Sequence, residues 1–258
     1  MRLMKRILSA AAVLALSASL LVGCSSGTAS SVPVSASSAA ESTVSSVEET
    51  ASSAVDENEA AAAQLLNDLT GSYQELWPVI LADEYKQTWL DDCTALVGEE
   101  NAEAAFEKLS SMVTGDVYGE DAVEAYANGG GAYFCGFTNS LATLTFDGET
   151  STISGTDKDG NVLFSHTYHY IGMEPVHGLY EFESDDADSG EFTYFFLAPD
   201  TSAETYHIEF RYGSDAEALS QYDAGEYAYW VASGISTDCD QTMIDNCIEL
   251  FCTENLAG

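Results

Sequence analysis

His207 and Glu209 stand two residues apart in the run Tyr206-His207-Ile208-Glu209-Phe210-Arg211-Tyr212, which alternates apolar and polar side chains. In an extended chain every second side chain points the same way, so an imidazole and a carboxylate share one face there. Zinc accepts both histidine nitrogen and carboxylate oxygen in a four-coordinate shell, which makes this pair the best candidate for metal ligation. The chain has four histidines, and the other three, His166, His169 and His177, are the further candidates. His166 and His169 are three apart, so a regular strand turns them to opposite faces and at most one joins the pair. For any single histidine the competing reading is a hydrogen-bonded surface or half-buried residue. Asp157, Asp159 and Asn161 imitate the start of a calcium loop, but no glutamate stands at its twelfth place, and a hairpin turn explains them better.

The elements that would position these residues are mostly strands. Leu179 to Glu183 alternates, Ser184 to Gly190 is a turn cluster, and Phe192 to Leu197 is apolar almost throughout, as in a strand covered on both faces. Upstream, Ala132 to Gly136, Leu141 to Phe146, Thr150 to Gly155 and Val162 to His169 are further strand candidates, with Asp147-Gly148 and Asp159-Gly160-Asn161 as hairpin connections. Before them the period is helical. Helices are expected over Ala60 to Leu69, over Gln74 to Cys93 with Pro78 as a break or early-turn residue, and over Ala102 to Val113. Ala122 to Tyr126 reads either way. A last helix, Thr242 to Glu254, is expected to be capped at Ser236 or Thr237. The sum is a mainly β fold with flanking α-helices, its many short antiparallel strands closing into a sandwich or a barrel.

Residues 1–23 read as a lipoprotein signal peptide. Met1 to Arg6 is basic, Ile7 to Val22 is apolar, and Leu21-Val22-Gly23-Cys24 looks like a bacterial lipobox in which Cys24 is lipidated. The expected location is extracytoplasmic, with the membrane engaged through the lipid anchor only. Residues 24–59, rich in Ser and Ala and without aromatics, form a disordered tether because they cannot bury enough apolar surface to offset chain entropy. Residues 60–258 are the folded domain. The formal net charge is -36, and three of the seven cationic residues (Arg2, Lys5, Arg6) lie in the leader. Such a field repels phosphate backbones and excludes nucleic acid as a partner, while gathering cations near the surface; solubility is the plainer account of it. Besides Cys24 there are Cys93, Cys135, Cys239, Cys247 and Cys252, an odd set that leaves at least one thiol outside any intrachain disulfide. No nucleophile elbow, phosphate loop or HExxH run is present, so an enzyme is not expected.

The run Leu66 to Trp89, with Leu-Asn-Asp-Leu-Thr-Gly71-Ser-Tyr-Gln-Glu-Leu-Trp77-Pro78, resembles the entry helix of the ZinT/YodA family of periplasmic or surface metal-binding proteins. Gly178 to Glu183, the strand end Phe195-Phe196-Leu197-Ala198-Pro199, His207 to Asp215 and the ending Tyr227 to Cys252 look like the same family's later elements. The resemblance spans about Leu66 to Phe251. It implies a lipocalin-like (calycin) antiparallel β-barrel that binds zinc through histidines at the barrel mouth and assists zinc uptake, with a metal ABC transporter as a further partner. Carried over residue by residue, the family's His-x-His falls on His207 and Glu209, so a glutamate replaces the second histidine. The family's earlier histidine falls on Phe195, which cannot ligate. The expected function is a surface lipoprotein that captures a divalent transition metal, zinc first. The alternative is a barrel with a degenerate metal site that binds a small apolar ligand or a protein partner.

Overall fold

The computed structural model describes residues 57–257, so Cys24, the expected signal peptide and most of the expected tether lie outside the described residues. Residues 57–59, assigned to the tether, already belong to a helix, α1, that covers residues 57–68. Eight strands follow: β1 Gly71–Glu75, β2 Thr143–Asp147, β3 Thr152–Thr156, β4 Val162–Met173, β5 Tyr180–Ser184, β6 Tyr194–Leu197, β7 Ile208–Gly213 and β8 Ala232–Ser236. Each pairs antiparallel with the next, and β1 returns to β8 through Tyr73↔Ser236 and Glu75↔Gly234. The result is the expected closed, lipocalin-like antiparallel barrel with flanking helices, an arrangement that leaves no sheet edge open.

Register decides which side chains enter the barrel. Phe195 of β6 meets Phe164 of β4 at 5.9 Å and Tyr168 of β4 at 5.4 Å between ring centroids. β4 and β6 are not neighbours in the sheet, so these rings touch across the lumen. Phe182 and Tyr212 stand opposite Phe195 on the adjacent strands and Phe210 stacks on it, so aromatic rings fill the barrel. The alternate residues Phe196 and Arg211, paired across β6 and β7, face outward yet are fully buried, because helices and loops cover that wall. The cover is α2 Leu76–Ile80, α3 Lys86–Val97, α4 Ala102–Val113, α5 Glu120–Ala127, the single turns α6 Ser202–Thr205 and α7 Ala216–Leu219, and α8 Gln241–Leu256. Phe251 of α8 packs edge-on against Trp77 and Trp89 at 4.8 and 5.8 Å, and Trp89 donates its indole N–H to the Ile80 carbonyl at 2.7 Å.

Several sequence expectations are corrected. The single helix over Gln74 to Cys93 is instead the end of β1, then α2, a 3-10 turn at Asp83–Tyr85 and the first part of α3. Residues 71–75 are extended because pairing to β2 and β8 closes the barrel and overrides their local period. Pro78 sits in the first turn of α2, where its missing N–H has no partner to lose. Ala132 to Gly136 makes only isolated bridges at Phe134, to Thr114 and Trp230, rather than a strand. β8, composed of small residues with little alternation, was not foreseen. The cap of α8 is Asp240, whose carboxylate accepts the Met243 N–H at 2.9 Å, in place of Ser236 or Thr237. Asp157 does close a hairpin turn, accepting the backbone N–H of Asp159 and of Asn161, both at 2.9 Å.

Candidate functional site

His207 lies at the entrance to β7, and its position is made by the turn before it. α6 is capped at its C-terminus by Tyr206, which takes a left-handed backbone conformation at φ 65°, and the chain then doubles back so that the His207 imidazole meets its own turn. The Nδ1–H donates to the Thr205 carbonyl at 2.7 Å, while the Thr205 hydroxyl donates to the His207 carbonyl at 2.9 Å. With Nδ1 committed, Nε2 is the lone-pair nitrogen of a neutral ring, and it lies 4.0 Å from Glu209 Oε1. The two side chains do share one face, as their spacing predicts. That face is the outer wall of the barrel, where α8 lies over them and brings the Cys247 thiol to 3.8 Å from the ring.

Burial sets the charges. Desolvation pulls the His207 imidazole pKa below its ordinary value and keeps the ring neutral. Desolvation likewise pushes the Glu209 carboxyl up to about 7, and the carboxylates of Asp200 and Glu254 push in the same direction. Glu209 in turn helps raise the Cys247 thiol to about 12, after burial as the larger cause. A buried carboxyl crowded by two acidic neighbours gains from any cation that comes near it. The separation of 4.0 Å is too long for a hydrogen bond. It is somewhat wider than the roughly 3.4 Å that two donors span across a tetrahedral zinc with bonds near 2.1 Å.

The other candidates lie elsewhere. Phe195 points into the lumen, whereas His207 and Glu209 are on the outer wall, so the three positions that the family resemblance aligns with metal ligands do not converge in this fold. His207 and Glu209 lie on the outer wall beneath α8 and not in the lumen. His166 faces inward near one end of β4, against Phe164 and Tyr168, with Nδ1 2.7 Å from Asp186. His169 is on the opposite face, as its spacing requires, and exposed beside Asp185 at 2.7 Å and Glu183 at 3.9 Å. His177 is buried in the loop after β4, its ring tilted against Tyr222 with centroids 3.8 Å apart and its Nδ1 3.5 Å from Glu174. Its backbone N–H donates to that same carboxylate. Each of these histidines has a carboxylate neighbour of its own. Among the described residues no group of three or more His, Cys, Asp or Glu side chains is gathered closely enough to hold a metal ion. Cys247, Asp200 and Glu254, which act on the pair, carry no signal in the sequence beyond the place of Cys247 and Glu254 in the last expected helix.

No family model matches this chain, and no curated protein matches it in sequence. Among solved structures it is similar to the Zn(II)-bound ZinT-like domain of Streptococcus pneumoniae AdcA, with 16% identity and a TM-score of 0.45 over 71% of this chain and 89% of that one. It is also similar to Zn(II)-bound AdcA from Streptococcus pneumoniae, with 14% identity and a TM-score of 0.42 over 70% of this chain and 34% of that one.

Proposed function

We propose that this protein is a cell-surface lipoprotein whose barrel domain binds a divalent transition metal as cargo, zinc by donor type, and assists its uptake. The observation that supports it is the His207–Glu209 pair: a neutral imidazole whose Nδ1 is held by a backbone carbonyl, with Nε2 facing a buried carboxyl that other carboxylates crowd. Fixing one ring nitrogen on a carbonyl is the way metal-ligating histidines are oriented. Two protein donors leave the rest of a zinc shell to water or to a group on the recipient, which suits a cargo site that must release its ion. The acidic chain adds a long-range attraction for cations. The export signal at Cys24 motivates the surface location, and a metal ABC transporter is the recipient this reading calls for. A role without catalysis is part of the same proposal.

A small apolar ligand inside the barrel is disfavoured, because Phe164, Tyr168, Phe195, Phe210 and Tyr212 occupy the lumen. Replacing His207 and Glu209 together by alanine tests the metal reading. Zinc affinity is expected to fall at least ~100-fold with the circular-dichroism spectrum unchanged. Unchanged affinity in the folded double variant would overturn it.

A further inference from the structure

Cys93 and Cys252 are 159 residues apart in sequence, on α3 and α8, and their sulfurs lie 3.9 Å apart with both side chains fully buried. Trp89 and Phe251, on the same two helices, pack edge to face, and the Asp92 carboxylate lies near enough to raise both thiols. Two sulfurs 3.9 Å apart are in van der Waals contact, and a disulfide draws such a pair together to about 2.04 Å. Of the other thiols, Cys247 faces His207, Cys135 lies against the outer wall of the barrel near Glu209, and Cys239 is half-buried and near enough to Cys247 to help raise its pKa. Cys93 and Cys252 are thus two thiols that the fold holds side by side.

We propose that Cys93 and Cys252 are a disulfide site that clamps α8 to α3. The reaction takes its oxidant from the disulfide class, a thiol oxidoreductase in the cell or oxidised glutathione in the test. One cysteine thiolate attacks the oxidant's disulfide and releases one of its sulfurs as a thiolate. The second cysteine thiolate then displaces the other sulfur, so the protein loses two electrons and two protons and the oxidant ends as two thiols. Burial raises both protein thiols above their ordinary range, so the thiolate needed for attack is scarce in the folded state and the bond forms while the chain is still open. The clamp bears on the candidate site, because α8 carries Cys247 five residues before Cys252 and lays it over His207. It does not depend on metal binding.

The test refolds the full-length protein in detergent from denaturant in a mixture of reduced and oxidised glutathione, blocks free thiols with N-ethylmaleimide, and maps peptides without reduction. A Cys93–Cys252 cross-linked peptide in most molecules is expected. Its reduction should lower the melting temperature by about 5–15 °C, the effect of opening a long loop in a domain of this size. The Cys93→Ser/Cys252→Ser variant should fold and show no response of melting temperature to reductant. Recovery of Cys93 and Cys252 as free thiols, or bonded to Cys135, Cys239 or Cys247, would overturn the pairing. Alkylating intact cells before lysis separates this from the surface reading: a pair that bonds on refolding but is free in cells would count against an oxidising extracytoplasmic location, not against the site.

Discussion

Glu209→Gln removes the titrating group at the centre of the candidate site while keeping its shape. In the folded protein burial and the neighbouring acids push this carboxyl from 4.5 to about 7. Below pH 4.5 both folded and unfolded chains hold the proton and the group has no influence on stability. Between pH 4.5 and 7 the unfolded chain releases the proton while the folded one keeps it, so stability falls as pH rises, and above 7 the loss is constant. Each tenfold change in the proton equilibrium is worth ~1.4 kcal/mol, so the full interval corresponds to about 3 kcal/mol, an upper figure because the side chain is 15% exposed and some relaxation follows ionisation. Urea unfolding of both proteins in metal-free buffer from pH 4 to 8 is the assay. The glutamine variant is expected to match the parent at pH 4 and to exceed it by about 2–3 kcal/mol at pH 8. A difference that stays flat across this range would refute the placement of Glu209 in a desolvated, acid-crowded site.

Other substitutions probe the frame around it. Phe195→His supplies a histidine where the ZinT/YodA resemblance aligns one, but on the lumen side of the wall. It should leave zinc affinity unchanged and destabilise the barrel by about 2–4 kcal/mol, as read by zinc titration and thermal melting. Arg211 is buried, donates to the carbonyls of Leu219, Gln221 and Tyr227, and lies 4.2 Å over the Tyr222 ring. Arg211→Met should therefore cost about 3–5 kcal/mol in urea unfolding and speed hydrogen exchange across residues 214–230; a loss under about 1 kcal/mol would contradict this role. A Cβ at Gly148 would sit 2.4 Å from the Asn67 Cα and 2.5 Å from the Leu66 carbonyl oxygen. Gly148→Ala is thus expected to lower stability by about 1–3 kcal/mol and to loosen α1 from the β2–β3 turn, measurable as earlier melting.

The legible part of the fold was the part written in local periods. Ala102 to Val113 carries a helical stripe and is helical over those residues, and Val162 onward alternates and forms the longest strand. β1 and β8 were hidden for a common reason. Gly71–Glu75 runs straight into a helical stripe, and Ala232–Ser236 is too small and too uniformly buried to alternate, so both depend on each other and on β2 and β7 to be strands at all. The shared face of His207 and Glu209 follows from a spacing of two and was readable. Which side of the wall they face depends on the register Phe195↔Tyr212, a relation between strands that no run of residues contains. The approach of Cys247 across 40 residues, and of Cys93 to Cys252 across 159, belongs to the same class of fact.

Calorimetric zinc titration of the chain from Ser25 onward tests the central claim most directly, with the His207→Ala/Glu209→Ala variant and a magnesium titration run beside it. The expected result is about one zinc per chain, bound in preference to magnesium and lost in the double variant. Zinc uptake that is equal in the two proteins, or matched by magnesium, would place the metal on the acidic surface and contradict a site at His207 and Glu209.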